Sequence, residues 1–482
     1  MSIPVISIAQ MREWERGTWS AGRTEEEVIR RAGGALAAQI RMWSRPAESV
    51  LVLAGQGHNG EDARQAALQL GDRPVDVLNV QDPAADQGAL EERLAARPSW
   101  VIDGLFGIGL NRPLEGAWIQ WVERLNSSRR RILSVDVPSG LNADTGQAMG
   151  ASVKASITVT MGAPKRGLLE ACAWPYVGRL EVASDIGLVG MPDAGDLQWT
   201  APEDFIDMLP ARPVAGHKGF FGHVAVMAGS LGYHGAAVLA MRGALRARPG
   251  LVTVLTAPDI YTAVASQSQA AMVRPWVAGQ PFPEAATALV VGPGLAAQNL
   301  SRDWQADLRR WWRTISIPMV VDASALDWLA EGPVVTQSCR VITPHPGEAA
   351  RLLKTTPDAV QSDRLGAVRG LSQRLGDCWV VLKGHQTLVG RSSGPVYFNS
   401  SGNPGLAQGG SGDLLAGYLG GLLAQPAYAE RAEQAIRYAV WQHGACADTL
   451  ERESSSWTIA DLAGRLGTEV AGRLDVRPAG GR

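Results

Sequence analysis

Three strand-to-loop junctions in the first 150 residues carry side chains suited to a cation and an anionic ligand. GQGHNGEDA (55–63) follows the apolar run VLVLA and opens a helical pattern. Glycines ahead of a helix N-terminus present backbone N–H groups to an anion. VIDGLFGIGLNRP (101–113) puts Asp103 at a strand end, before Gly107 and Gly109, and SVDVPSGLNADTG (134–146) puts Asp136 at another, before Pro138, Ser139 and Gly140. Open parallel sheets bind ligands beyond the carboxyl ends of their strands. Asn59, Asp103 and Ser139 are therefore expected to converge as hard oxygen donors for a cation, with Asp136 facing the ligand. Capping a turn is a strong alternative for any one aspartate; it is a weak one for all three loops together. Gly55, Gly57 and Gly60 also satisfy G-x-G-x-x-G. A dinucleotide-binding dehydrogenase would further need an acid closing the next strand. Asp76 opens that strand instead, before VLNV, which disfavours a dehydrogenase.

A second constellation lies beyond residue 215. HKGFFGHVAVMAGSLGYHGAAVLA (217–240) joins a strand to a helix through glycines, and GPGL (292–295) ends another strand. TPHPGEAARLL (343–353) offers His345 and Glu348, and KGHQT (383–387) puts Lys383 at a strand end, where it is expected to meet a nucleotide. GNPGLAQGGSGDLLAG (402–417) leads into Asp413 at a helix start. Backbone amides that hold an anion, beside an acid that handles a hydroxyl, suit phosphoryl chemistry. A Walker A loop, G-x-x-x-x-G-K-[ST], is absent.

The elements that position these groups follow from hydrophobic patterning. SVLVLAG (49–55), VDVLNV (75–80), SWVIDG (99–104), RILSVD (131–136) and SITVTM (156–161) read as strands buried on both faces, with helices such as 61–70 and 117–126 between them. After the proline-rich stretch 189–217 a second α/β series runs through 222–229, 251–257, 288–294, 318–324, 340–348 and 379–384. The expected fold is α/β, with two three-layer α/β/α domains covering residues 1–207 and 208–482, and a frayed tail at 475–482. The 482 residues suffice for two large domains. With 45 basic and 47 acidic side chains, a net charge of −2 argues against nucleic-acid or anionic-membrane binding. The 55 glycines stand well above the ~7% norm and suit loops that approach ligands closely. No run of 18 apolar residues and no signal-peptide pattern occurs, so a cytoplasmic location is expected, with Cys172, Cys339, Cys378 and Cys446 reduced and mostly buried.

At these residues the chain resembles known families. GQGHNGED, VIDGLFGIGL and SVDVPSGLNADTG resemble the signature segments of the NAD(P)H-hydrate epimerase domain, over roughly residues 1–205. The resemblance implies a Rossmann-like fold with a potassium ion on Asn59, Asp103 and Ser139. It also implies contacts to the hydrated nicotinamide nucleotide from His58, Asn59, Gly60, Glu61, Asp62, Gly107, Ile108, Gly109, Leu110, Asn111, Arg112, Pro113 and Asp136. The family's N-N-G-G-D-G loop here reads His58-Asn59-Gly60-Glu61-Asp62-Ala63. Glu61 must therefore point away from the bound phosphates if the site is active. Two unit charges 4 Å apart repel by about 4 kcal/mol at an effective dielectric of ~20.

The second constellation resembles the ribokinase-like family of ADP-dependent NAD(P)H-hydrate dehydratases, over about 215–470. That implies contacts to the hydrated nucleotide from Ala236, Gly294, His345 and Asp413, and to the adenine nucleotide from Lys383, Gly384, His385, Gln386, Thr387 and Gly412. Ser324 stands where the family commonly has a second aspartate. The implied function is repair of hydrated NADH and NADPH: epimerisation of the R and S hydrates near Asp136, and ADP-dependent dehydration of the S form with Asp413 as catalytic base. ADP would be co-substrate with magnesium, and a homo-oligomer is expected by resemblance. The rival reading is a ribokinase-like small-molecule kinase fused to a nucleotide-binding scaffold domain.

Overall fold

The computed structural model describes residues 2–469 except 194, 209–211, 278, 281, 299, 301, 330, 333, 335 and 336. The tail 475–482 and the centre of the expected linker, 209–211, lie outside the described residues. Two compact units emerge, Ile3–Gly195 and a second made of Asp196–Arg482 with the first two residues.

In the first unit, β1 (Ile3–Pro4) precedes helices Ile8–Ser20 and Glu25–Trp43. Strands β2 (Val50–Ala54), β3 (Val75–Asn79), β4 (Trp100–Gly104), β5 (Arg131–Val135), β6 (Ile157–Met161) and β7 (Arg179–Ala183) form a six-stranded parallel sheet in the order β3-β2-β4-β5-β6-β7. Both faces are covered, so the strands read as apolar runs without alternation. Val50 and Val52 pack against Leu36, Ile40 and Ala66 on one side. Leu51 and Leu53 pack against Leu90, Leu94 and Trp121 on the other. The order reverses between β2 and β4, so the loops after these strands diverge and open a crevice.

The second unit holds β8 (Leu197–Trp199), β9 (His223–Met227), β10 (Leu251–Thr256), β11 (Met272–Pro275), β12 (Ala288–Val291), β13 (Met319–Val321), β14 (Arg340–Ile342), β15 (Trp379–Leu382), β16 (Leu388–Gly390) and β17 (Val396–Phe398). Their order is β8-β17-β16-β15-β14-β13-β12-β9-β10-β11, and β16 alone runs antiparallel to its neighbours. The reversal here falls between β9 and β12. Helix Ser411–Leu423 is apolar all round and buried from Leu414 onward. It packs so tightly on helix His234–Arg246 that a Cβ on Gly417 would sit 1.9 Å from the Ala240 carbonyl oxygen. Among the described residues no helix is long and apolar enough to cross a membrane. The four cysteines are free; Cys378 and Cys446 are buried, Cys339 is half-buried and Cys172 is exposed.

All eleven strands expected from patterning are present. The expectation missed β1, β7, β8, β11, β16 and β17, which are short or carry charged, half-exposed residues. The units divide at 195/196, about a dozen residues before the expected 207/208. The cause is local: β8 pairs in parallel with β17, and buried Phe205 packs edge-on against Tyr438 and at a tilt against Trp441. A fragment starting at Asp196 should therefore melt higher than one starting at 208. Loss of a core Phe alone typically costs about 3–5 kcal/mol. Equal melting temperatures, read by calorimetry, would show that β8 and Phe205 add nothing.

Candidate active sites

The first crevice is a cavity of about 640 Å³, within the range of ligand pockets. Helix His58–Gln69 starts at its edge because a Cβ on Gly60 would meet the Gly55 carbonyl oxygen at 2.1 Å. That close turn leaves the first-turn amides free for an anion. The helix begins three residues before the expected Glu61. His58, Asn59, Asp62, Gly107, Ile108, Gly109, Leu110, Asn111, Arg112 and Asp136 all line the cavity, whereas Gly60, Glu61 and Pro113 do not. The Glu61 charge thus lies outside the cavity lining, where it would oppose an anionic ligand least. His58 Nε2 lies 2.6 Å from Glu25 Oε1 at the exposed rim. Helix Ile8–Ser20 supplies the facing wall through Met11, Glu15 and Trp19, spaced one turn apart.

Asn59, Asp103 and Ser139 come together as expected. Ser139 Oγ donates to Asp103 Oδ1 at 2.6 Å and accepts from the Phe106 amide at 2.9 Å. Asn59 Nδ2 donates to the Phe106 carbonyl at 3.0 Å. Asp103 Oδ2 accepts from Ser134 Oγ (2.8 Å) and the Ser139 amide (3.0 Å). Burial raises the Asp103 pKa against these hydrogen bonds, and no cationic side chain offsets it.

Asp136 sits at the end of β5 with a left-handed backbone, φ 61°. Its Oδ1 accepts from Thr160 Oγ1 (3.1 Å), the Met161 amide (3.0 Å) and Lys165 Nζ (2.5 Å). Lys165 was missed by sequence reasoning. It is fully buried, and its ammonium also reaches Thr160 Oγ1 and the Met161 carbonyl. Its only signal is position: it lies four residues beyond the end of β6, in GAPKRG.

In the second unit, Ala236, in the first turn of helix His234–Arg246 after the β9 loop, and Gly294, in the loop after β12, are neighbours; a Cβ on Gly294, φ 66°, would lie 2.8 Å from that of Ala236. Ser230 Oγ joins these loops by donating to the Gly294 carbonyl at 2.6 Å. His345 caps helix Pro346–Leu353, with Nδ1 accepting from the Gly347 amide at 3.0 Å, so Nε2 carries the hydrogen. Its backbone amide donates to Glu348 Oε2 at 2.8 Å.

Lys383 reaches the start of the helix that carries Asp413. Lys383 Nζ donates to Asp322 Oδ1 at 2.8 Å and lies 4.0 Å from Glu348 Oε2. A Cβ on Gly412 would be 3.1 Å from the same nitrogen, which places the ammonium at the start of helix Ser411–Leu423. Burial acts to lower the Lys383 pKa, but Asp322 and Glu348 outweigh it and the pKa is raised. Burial and Asp322 push Asp413 up to about 6, against the pull of Lys383. Asp322 is a second residue the sequence reasoning passed over, although it closes its strand as Asp103 does. Thr343 Oγ1 holds it at 2.7 Å. Ser324, next but one, is half-buried, and no polar contact of its side chain is among those described. The 383–387 loop turns through left-handed Gly384 and Gln386. Arg364 ties it by donating to the His385 carbonyl at 2.6 Å, and burial, with Arg364, lowers the His385 pKa to about 4. Thr387 Oγ1 donates to the Gly384 carbonyl at 3.1 Å.

Each unit is thus an α/β domain on a largely parallel sheet, with polar side chains gathered beyond the carboxyl ends of its strands. A family model for NAD(P)H-hydrate dehydratase matches residues 224–468, and one for the YjeF-related protein N-terminus matches residues 75–167. The bifunctional NAD(P)H-hydrate repair enzyme Nnr of Coxiella burnetii is 35% identical over 473 residues, covering 92% of this chain and 94% of that protein. Its Escherichia coli counterpart is 34% identical, covering 89% and 86%. The solved ADP/ATP-dependent NAD(P)H-hydrate dehydratase of Bacillus subtilis, co-crystallised with ATP and magnesium, superposes with a TM-score of 0.50 at 29% identity, covering 55% of this chain and 95% of that one. The chain belongs to the family of bifunctional NAD(P)H-hydrate repair enzymes.

Two substitutions test the first site. Glu61→Gly should leave nucleotide affinity within about threefold, under 1 kcal/mol, by titration calorimetry; tighter binding would mean that Glu61 faces the ligand. Lys165→Met strands a buried carboxylate and should destabilise the unit by about 3–5 kcal/mol; unchanged chemical denaturation would refute that pairing.

Proposed function

We infer that the chain repairs hydrated NADH and NADPH, its second unit restoring the dihydropyridine at the expense of ADP and its first unit interconverting the R and S hydrates. The observation that carries the first part is Asp413, a carboxyl poised near neutrality at the mouth of a glycine-rich helix start and beside the Lys383 ammonium. A base with a pKa of about 6 is largely ionised at neutral pH yet still accepts a proton.

The 6-hydroxyl of the hydrate is a poor leaving group. Asp413 takes its proton as the oxygen attacks the terminal phosphorus of ADP, and the bond to AMP breaks. Phosphate then departs from C6, and loss of a C5 proton closes the C5=C6 double bond. The products are NAD(P)H, AMP and phosphate. Lys383 and the amides around Gly412 balance the charge of the transferring group. Both polar atoms of the Gln386 amide are buried without a hydrogen-bond partner. Such atoms cost about 1–3 kcal/mol each, which an adenine edge would offset. Magnesium would arrive with the phosphates and shield their charge.

In the first unit, Asn59, Asp103 and Ser139 would hold potassium, which supplies positive charge beside the ligand phosphates. Asp136, oriented by Lys165, faces the cavity that would hold the nicotinamide hydrate.

Asp413→Asn keeps size and polarity but removes the basicity, and should slow dehydration by at least ~100-fold, about 2.7 kcal/mol of barrier. ADP affinity should hold. Dehydration within threefold of the parent would refute the base assignment. Accumulation of a stable phosphate ester with equimolar ADP consumption would instead mark the protein as a kinase.

A further inference from the structure

Glu15, Glu25, Asp62 and Asp136 line the first cavity, and of these Asp62 and Asp136 lie in unlike surroundings. Asp136 Oδ1 is occupied by Thr160, the Met161 amide and the Lys165 ammonium. Asp62, on the second turn of helix His58–Gln69, lines the same cavity, and among the described residues no hydrogen bond or ion pair engages its carboxyl. Met11, Val28, Ile29, Met161, Ile186 and Leu188 give this cavity an apolar wall. Burial above all, then the charges of Asp136, Glu61 and Glu15, raise the Asp62 pKa well above the carboxylate range, with Lys165 opposing. The Asp62 carboxyl is therefore biased toward its protonated form, while Asp136 is ion-paired with Lys165.

We propose that Asp62 is the general acid of the epimerisation, acting with Asp136 as the base. This rests on the epimerase reading of the first unit. The reacting C6 is a hemiaminal carbon, bearing both the hydroxyl and ring nitrogen N1. Asp136 removes the hydroxyl proton, C6=O forms, and the C6–N1 bond breaks with its electron pair going to N1. Asp62 protonates N1. The open aldehyde turns about C5–C6, N1 adds to the opposite carbonyl face, and both protons return to their donors. Atoms and charge balance, and no redox partner is needed. Two acids of unlike protonation state are what this exchange requires, and one alone would leave either the hydroxyl or N1 without a proton partner.

The test uses the full chain with ADP, magnesium and a mixture of R and S hydrates. The second unit consumes S first, and the remaining R then disappears at the rate of epimerisation. For the parent, R should vanish faster than in the absence of protein. Asp62→Asn should lower kcat for R by at least ~100-fold with KM within threefold and the S phase unchanged. Asp62→Glu, which keeps an acid, should retain more activity than the asparagine. A kcat for Asp62→Asn within threefold of the parent would overturn the acid role, as would a loss confined to KM or equal losses in both variants. No acceleration by the parent itself would instead overturn the epimerase reading.

Discussion

The Lys383 ammonium is the contact on which the second site depends. It is drawn beneath the start of helix Ser411–Leu423 by Asp322, just past β13, and Glu348, in the first turn of the helix that follows β14. Strands buried on both faces leave the carboxyl edge of a sheet as the place where polar groups can gather. A charge gathered there must be paired. Lys383 meets that demand, and in doing so it joins the ends of β13, β14 and β15 to the glycine-rich loop. Its surroundings also decide the chemistry, because the carboxylates that hold Lys383 raise the pKa of Asp413. The first unit repeats the solution with other residues. Lys165, fully buried, satisfies its three hydrogens on Asp136, Thr160 and the Met161 carbonyl and fixes the aspartate at the cavity.

Much of this was legible in the sequence. The two series of apolar runs gave the α/β class because strands covered on both sides need no alternation, as Val50–Ala54 shows. Asn59, Asp103 and Ser139 could be grouped because each stands just past a strand of one sheet. Ala236 and Gly294 meet across the second reversal point in the same way. What escaped was whatever depends on packing. Lys165 lies in a short turn whose composition looks solvent-facing, and only the folded sheet shows it to be fully buried. Asp322 stands at a strand end like Asp103, but Ser324 is the residue that departs from the family pattern and drew the attention. The units divide earlier than the expected boundary because three residues, Leu197–Trp199, suffice to add a strand beside β17, and such a segment has too little periodicity to be seen.

Glu61 shows how a departure from a family pattern is settled by direction rather than by residue type. A carboxylate in a phosphate-binding loop would oppose its ligand, yet the helix carries Asp62 toward the cavity and Glu61 away from it. Glu61 still acts at a distance, since its charge is among those that raise the Asp62 pKa. The loop thus retains its amides for an anion while its two acids take separate parts.

The central claim is that the grouping of Asp322, Glu348 and Lys383 sets the proton-accepting state of Asp413. The most direct measurement is the pH dependence of dehydration, from about pH 5 to 8, in the parent and in Asp322→Asn at equal ADP and magnesium. The titration of ADP itself is common to both proteins, so the difference reports Asp413. In the parent the rate should fall as pH drops through about 6, because the base becomes protonated. Removing the Asp322 charge, which raises that pKa, should move the fall to lower pH. Superimposable profiles, or a shift to higher pH, would contradict the account.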